Sequence, residues 1–337
     1  MPFIPNTDSD RSRMLAVIGK SSVESLFGDI PEKLRYPELD LPPALSEMEI
    51  LREIEALAAK NLSSSTCAWF LGAGAYNHFI PSLVPAIASR GEFLSAYTPY
   101  QPEVSQGTLQ AIFEYQSMAG SLFGVEAMIA SHSDGATALA EAVLMAARNA
   151  PGRDTVVLPS ALHPEYKEVI RTYLEPLDVK IREYAGTPAA EAASLDPTAA
   201  CLVAAYPDFE GRVHDLSGVA DAVHAAGALL VVHADPILLG LFKSPGELGA
   251  DIVTAEGQAL GNAMNYGGPF LGMMGAASKY VRKMPGRIAG QATDAQGRRG
   301  FVLTLSAREQ HIRREKALSN ICSNQGLVML QACIYLA

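Results

Sequence analysis

Short apolar runs alternate with helical stretches along most of this chain, and that alternation limits the fold more than any other feature. The runs are Ala127 to Ala130, Thr155 to Leu158, Val179 to Ile181, Cys201 to Ala205, Leu229 to Ala234, Ile252 to Ala255 and Phe270 to Met274. Strands buried on both faces read as continuous apolar runs, and the stretches between them carry the chain from one strand to the next. Leu216, Val219, Ala220 and Val223 recur at helical spacing ahead of Gly227, which can stop a helix. The pattern predicts an α/β fold, a mainly parallel sheet with helices on both faces. Open sheets of this kind bind ligands beyond the carboxyl ends of their strands.

Two strand ends draw the eye. The stretch from Asp251 to Gly272 passes from a buried strand into a Gly-rich segment holding Gly257, Gly261, Gly267 and Gly268, then into the next apolar run. Glycine permits tight turns and close approach of backbone, so this is either a ligand-facing loop or a structural one at a sheet edge. The run Leu229 to Ala234 ends in Asp235-Pro236, and His233 and Asp235 lie on one face if the strand stays extended. A strand-end Asp ahead of Pro is also an ordinary turn opener. Ser133-Asp134-Gly135-Ala136-Thr137 precedes the helical run Ala138 to Arg148. A helix N-terminus suits a phosphate, though Ser133 or Asp134 can equally be a plain N-cap there. His163-Pro164 follows the strand Thr155 to Leu158, and a lone His in that place is by default a structural residue.

At 337 residues the chain is long enough for a large core, in one large domain or a large and a small one. Residues 1–65 read as an N-terminal arm of short helices, 66–290 as the α/β domain, and 291–337 as the start of a C-terminal region. In the arm, Ser46 and Glu49 form a capping box, and Leu51, Ile54 and Ala58 mark one apolar face. Arg298, Arg299, Arg308, Arg313 and Arg314 read as a solvated helical face. The formal net charge is −10 and no basic run carries interleaved aromatics, which argues against nucleic acid and anionic membrane surfaces. No signal peptide or apolar run of about 18 residues is present, so the expected location is the cytoplasm. Cys67, Cys201, Cys322 and Cys333 are scattered without metal spacing and read as reduced thiols, with no metal site.

Longer motifs carry a resemblance. The run from Gly249 to Gly272, then Lys279 to Arg287, Gly297 to Phe301, Arg308 to Lys316 and Ser319 to Gln325 together resemble subunit 1 of the two-subunit P-protein of the glycine cleavage system. Ile4 to Asp8, Tyr97 to Gly107 and Asp134 to Ala138 belong to the same pattern, so the resemblance spans nearly the whole chain. It implies the fold of the aspartate-aminotransferase-like pyridoxal phosphate (PLP) enzymes. It also implies a complex that decarboxylates glycine and passes the aminomethyl group to the lipoylated H-protein.

In that fold Ser133, Asp134, Gly135 and Thr137 would sit at the phosphate turn and His163 where a flat side chain stacks on the pyridine ring. His233 and Asp235 would lie at the pyridine-nitrogen strand, since a protonated ring is the better electron sink. The lysine that would hold PLP is missing: around Gln258-Ala259-Leu260 there is none, and none occurs between Lys243 and Lys279. The resemblance therefore places PLP on subunit 2 and makes this chain its partner. The loop Tyr97 to Gly107 would then line an interface, or else be a tightly packed structural loop. Leu327 to Ala337 stops without a helix-ending signal, so the chain is expected to be a fragment lacking a small C-terminal domain. The rival readings are a self-sufficient PLP enzyme and a non-catalytic scaffold with a retained enzyme fold.

Overall fold

The computed structural model describes residues 5–94, 97–318, 321 and 325–337. Ile4 of the first motif, and Ser319, Asn320, Cys322, Ser323 and Asn324 of the last, lie outside the described residues. Contacts divide the chain into two units, Met1–Cys67 and Ala68–Ala337. The first holds helices α1 (Asp8–Val17) and α2 (Glu47–Ala58) with short 3-10 turns between them. Glu49 accepts from the Ser46 amide at 2.9 Å and the Ser46 hydroxyl at 2.6 Å, which ties down the start of α2.

The second unit is built on a seven-stranded sheet. Its strands are β1 (Ala127–Met128), β2 (Thr155–Pro159), β3 (Lys180–Tyr184), β4 (Ala199–Tyr206), β5 (Leu229–Ala234), β6 (Ile252–Glu256) and β7 (Gly272–Ala276). Their spatial order is β1-β7-β6-β5-β4-β2-β3. From β3 to β6 neighbours run parallel, whereas β7 is antiparallel to both β6 and β1. Every residue of β4 is buried, as expected of an interior strand in a sheet covered on both faces. On one face pack α3 (Gln106–Phe123), α6 (Val219–Ala225) and α7 (Gly326–Leu336). On the other pack α4 (Gly135–Asn149) and α5 (Pro164–Leu174). Leu202 and Ile252, both fully buried, contribute roughly 2 kcal/mol each by leaving water.

The sequence places β7 two residues early. Leu271 is held outside the ladder, its amide given to the Glu256 carboxylate at 2.9 Å and its carbonyl accepting from Gly257 at 2.7 Å. Pairing therefore starts with Gly272 opposite Glu256. The arginine-rich segment also departs from expectation, because its arginines do not share a helical face. Arg299 opens strand β9 (Arg299–Thr304), which pairs antiparallel with β8 (Ile288–Thr293). The turn between them is closed by Asp294, whose carboxylate takes the Arg298 guanidinium at 2.7 Å, and by Gly297 at φ 76°. Arg308 is buried against backbone, donating to the carbonyls of Met284 and Gly286. Arg298, Arg299, Arg313 and Arg314 are exposed, and of the five only Arg308 gives its guanidinium to buried carbonyls. Cys67, Cys201 and Cys333 are unpaired thiols. No described helix is long and apolar enough to cross a membrane.

Candidate functional site

Beyond the carboxyl ends of β4, β5 and β6 lies a cavity of about 140 Å³, lined among others by Tyr76, His163, Tyr166, His233, Asp235 and Glu256. Each side chain arrives there for a local reason. Pro164 starts α5 at its first turn, and the His163 ring caps it by accepting from the Glu165 amide at 3.2 Å. The other His163 nitrogen pairs with the Ala73 carbonyl at 3.0 Å. Tyr166, one turn into α5, is thereby laid on the imidazole: ring centroids are 4.8 Å apart and the planes differ by 20°. Phe209 packs against His163 at 4.7 Å, and His233 meets the Tyr166 ring edge-on at 5.2 Å. His233 pairs with the Thr254 hydroxyl at 3.0 Å, and burial together with nearby His163 holds its pKa down to about 4. A neutral imidazole is the consequence at neutral pH.

Asp235 opens a turn. Its carboxylate accepts from the amides of Ile237 at 2.8 Å and Leu238 at 3.4 Å. Asp134 caps α4, accepting from the Thr137 amide at 2.7 Å, with Thr137 completing a capping box. Ser133 is exposed and lines a different cavity with Glu141 and Arg148. The structure thus brings His163, His233 and Asp235 to one cavity, sets Gly135 at its back wall through Glu256, and leaves Ser133 outside.

Glu256 and Tyr166 carry the site, and neither stands out in the sequence. Glu256 ends β6 with its carboxylate turned inward. One oxygen accepts from Gln258 and Leu271 amides, each at 2.9 Å, and the other accepts from Gly135 at the start of α4, at 2.8 Å. Burial pushes this carboxyl up to about 7, against the three amides that favour its ionised form. Gly135 is needed for the fit: a Cβ there would lie 2.7 Å from the Tyr166 hydroxyl and 2.9 Å from the Glu256 Cβ. The readable signal is an acid at the end of an otherwise apolar strand, directly before glycine. Gln258, near which the sequence leads one to expect a lysine, is buried, accepting from the Tyr76 amide at 3.1 Å and donating to the Asn262 carbonyl at 2.6 Å.

A family model described as the glycine cleavage system P-protein matches residues 1–337. The chain belongs to that family. A probable glycine dehydrogenase (decarboxylating) subunit 1 from Thermomicrobium roseum is 52% identical, over 100% of this chain and 77% of that protein. A crystal structure of glycine decarboxylase (P-protein) in inhibitor-bound form is 45% identical, with a TM-score of 0.90 over 100% of this chain and 76% of that one. At the level of fold alone, a C-DES mutant with glycine covalently linked to its PLP cofactor superposes at a TM-score of 0.51 with 14% identity, over 76% of this chain and 67% of that one. This P-protein chain therefore has the α/β fold of PLP-dependent transferases.

A second buried imidazole makes an observable prediction. His132 is fully buried, neither ring nitrogen has a hydrogen-bond partner, and burial drives its pKa down to about 3. Below the ordinary imidazole value the unfolded chain takes up a proton that folded His132 refuses. Stability is therefore lost as pH falls from about 6.5 toward 3, by roughly 2 kcal/mol at pH 5. Glu256 acts with the opposite sign, because its raised pKa makes ionisation cost stability as pH climbs from the ordinary carboxyl range to about 7. His132→Phe should remove the first slope and leave the second. Urea midpoints measured between pH 7 and 5 should then rise for the variant relative to the wild type as pH falls. Parallel curves would refute it.

Proposed function

We propose that this chain is the first of two unlike subunits of a glycine-decarboxylating P-protein. In this reading PLP sits on the second subunit, glycine is decarboxylated there, and the aminomethyl group passes to the lipoyl arm of the H-protein. PLP supplies the electron sink for the carbanion left by loss of carbon dioxide. The observation that carries the reading is the full-chain family match combined with Gln258, its side chain tied to Tyr76 and Asn262, where a PLP lysine would stand. An amide side chain cannot form an imine linkage.

What this chain offers the complex is surface and order. Tyr97 and Tyr100 are exposed on the loop that follows residue 96. That loop is anchored at its far end by Gln106, whose amide donates to the carbonyls of Pro102 at 2.6 Å and Phe301 at 2.8 Å. Arg287 stacks on Tyr100 at 5.4 Å. A rigidly based loop with exposed aromatics suits a subunit interface. The reading also places the protein in the cytoplasm.

The test is capture from the native cell with the full-length protein tagged. A second chain should co-purify in equal amount, and borohydride should fix a pyridoxyl group to that chain and not to this one. A pyridoxyl lysine on this chain would favour the self-sufficient enzyme. Capture of this chain alone, with no pyridoxyl label, would favour the scaffold.

A further inference from the structure

At the place where a PLP enzyme of this architecture would seat its cofactor, side chains of this chain already engage the groups a ligand would use, at the wall of the cavity that His163, His233 and Asp235 line. A phosphorylated planar ligand at the carboxyl edge of such a sheet needs free amides at a helix N-terminus for its anion and an open aromatic or imidazole face for its ring. Helix α4 supplies the N-terminus, but its first amide, on Gly135, is already given to the Glu256 carboxylate at 2.8 Å. The amide of Thr137 is given to Asp134 at 2.7 Å. His163 supplies the ring face, but Tyr166 lies stacked upon it and Phe209 packs at 4.7 Å. The Tyr166 hydroxyl points back to the same helix start, close enough that a Cβ on Gly135 would come within 2.7 Å of it.

We propose that Tyr166 and Glu256 form an internal plug, the phenol ring standing where a ligand ring would stack and the carboxylate standing where its phosphate would bind. The residues present therefore do not fit PLP, and the reason is occupancy as well as the missing lysine. The plug also has a mechanical role. The Glu256 carboxylate joins the start of α4, the amide of Gln258 and the amide of Leu271, so it fixes both ends of the Gly-rich loop 257–271. A phosphate in that place would bind and leave, whereas a covalently attached carboxylate holds the loop permanently. The inference deepens the proposed function, since it rests on the site being a relic of a PLP site. It is nevertheless read by ligand binding to this chain alone, with no partner and no glycine chemistry.

The probes are pyridoxine and pyridoxine 5′-phosphate, which lack the aldehyde and so cannot label surface lysines. Equilibrium dialysis of the full-length wild-type protein should show no saturable binding of either. Tyr166→Ala should admit pyridoxine and still reject the phosphate ester, because the Glu256 charge remains on the Gly135 amide. Tyr166→Ala with Glu256→Ala should bind the phosphate ester at least tenfold tighter than the single variant does, with inorganic phosphate competing. Circular dichroism checks that each variant is folded. Stoichiometric binding of pyridoxine 5′-phosphate to the wild type would overturn the plug at once, whatever the variants do. So would a folded double variant that binds neither probe. If the double variant does not fold, Glu256→Gln with Tyr166 intact decides: it should still bind neither probe, and binding of the phosphate ester would show that Tyr166 does not fill the ring place. Failure of the subunit reading would instead appear in the capture experiment, with these dialysis results unchanged.

Discussion

The full-length protein alone will exchange labelled bicarbonate into glycine no faster than a blank, and the exchange will appear only when the second subunit is added with PLP and H-protein. The argument is local. Exchange needs a lysine near the carboxyl end of β6, within reach of a ring at that edge of the sheet. Gln258 occupies the place and both ends of its amide are committed. The two flanking lysines in sequence do not substitute. Lys279 follows β7 and pairs with Asp251 at 2.9 Å, at the amino end of β6, a strand length away from Glu256. Lys243 precedes β6 and does not line the cavity. The lysine of α5, Lys167, is spent on the Ser160 carbonyl at 3.1 Å and on Glu183 at 3.0 Å. Restoring the amine should not restore function either. Gln258→Lys should give no cofactor fixable by borohydride, because Tyr166 and Glu256 still fill the edge. Exchange by this chain alone would defeat the lysine argument, and full exchange by the second subunit alone would defeat the claim that this chain is required.

The sheet was legible because its strands are buried on both faces, and burial writes itself into sequence as apolar runs. Leu229 to Ala234 is the strand the sequence predicts, residue for residue, and the strand around Cys201 extends by only a few apolar neighbours. The hairpin of β8 and β9 was not legible, because its exposed face carries Gln291, Thr293 and Arg299, and a charged stretch reads as a helix face as easily as a strand. Its one signal, Gly297 closing a tight turn after Asp294, is weak alone. At the site, the residues singled out for cofactor chemistry are single polar groups at strand and helix ends, and such groups serve caps and turns as readily as ligands. Asp134 and Asp235 show this, each spending its carboxylate on nearby backbone amides. Tyr166 and Glu256 escaped notice because their meaning lies in each other: the two residues are about 90 apart in sequence and come together over Gly135.

The close meeting of backbone over the Gly-rich stretch sets a second large effect. Gly272 begins β7 and exchanges backbone hydrogen bonds with His132, at 2.8 Å and 3.2 Å. A Cβ on Gly272 would fall inside contact distance of the Asp134 carbonyl oxygen, 2.6 Å from the His132 Cβ and 2.8 Å from the Asp134 carbonyl carbon. Two of those atoms are backbone and cannot rotate away, so the segment 132–134 would have to move. That segment sets the start of α4, and Gly135 at its end carries the amide held by Glu256. Gly272→Ala should therefore cost about 3 kcal/mol or more, at the upper end of overpacking penalties. Gly267 is the control. Its Cβ position has no atom within 4 Å, and only its φ of +98° resists a side chain. Gly267→Ala should cost on the order of 1–2 kcal/mol, the penalty of a left-handed backbone. Urea unfolding of the two variants gives the comparison directly. Equal losses, or a smaller loss at Gly272, would mean that the crossing of β7 over the start of α4 is looser than the glycine contact requires.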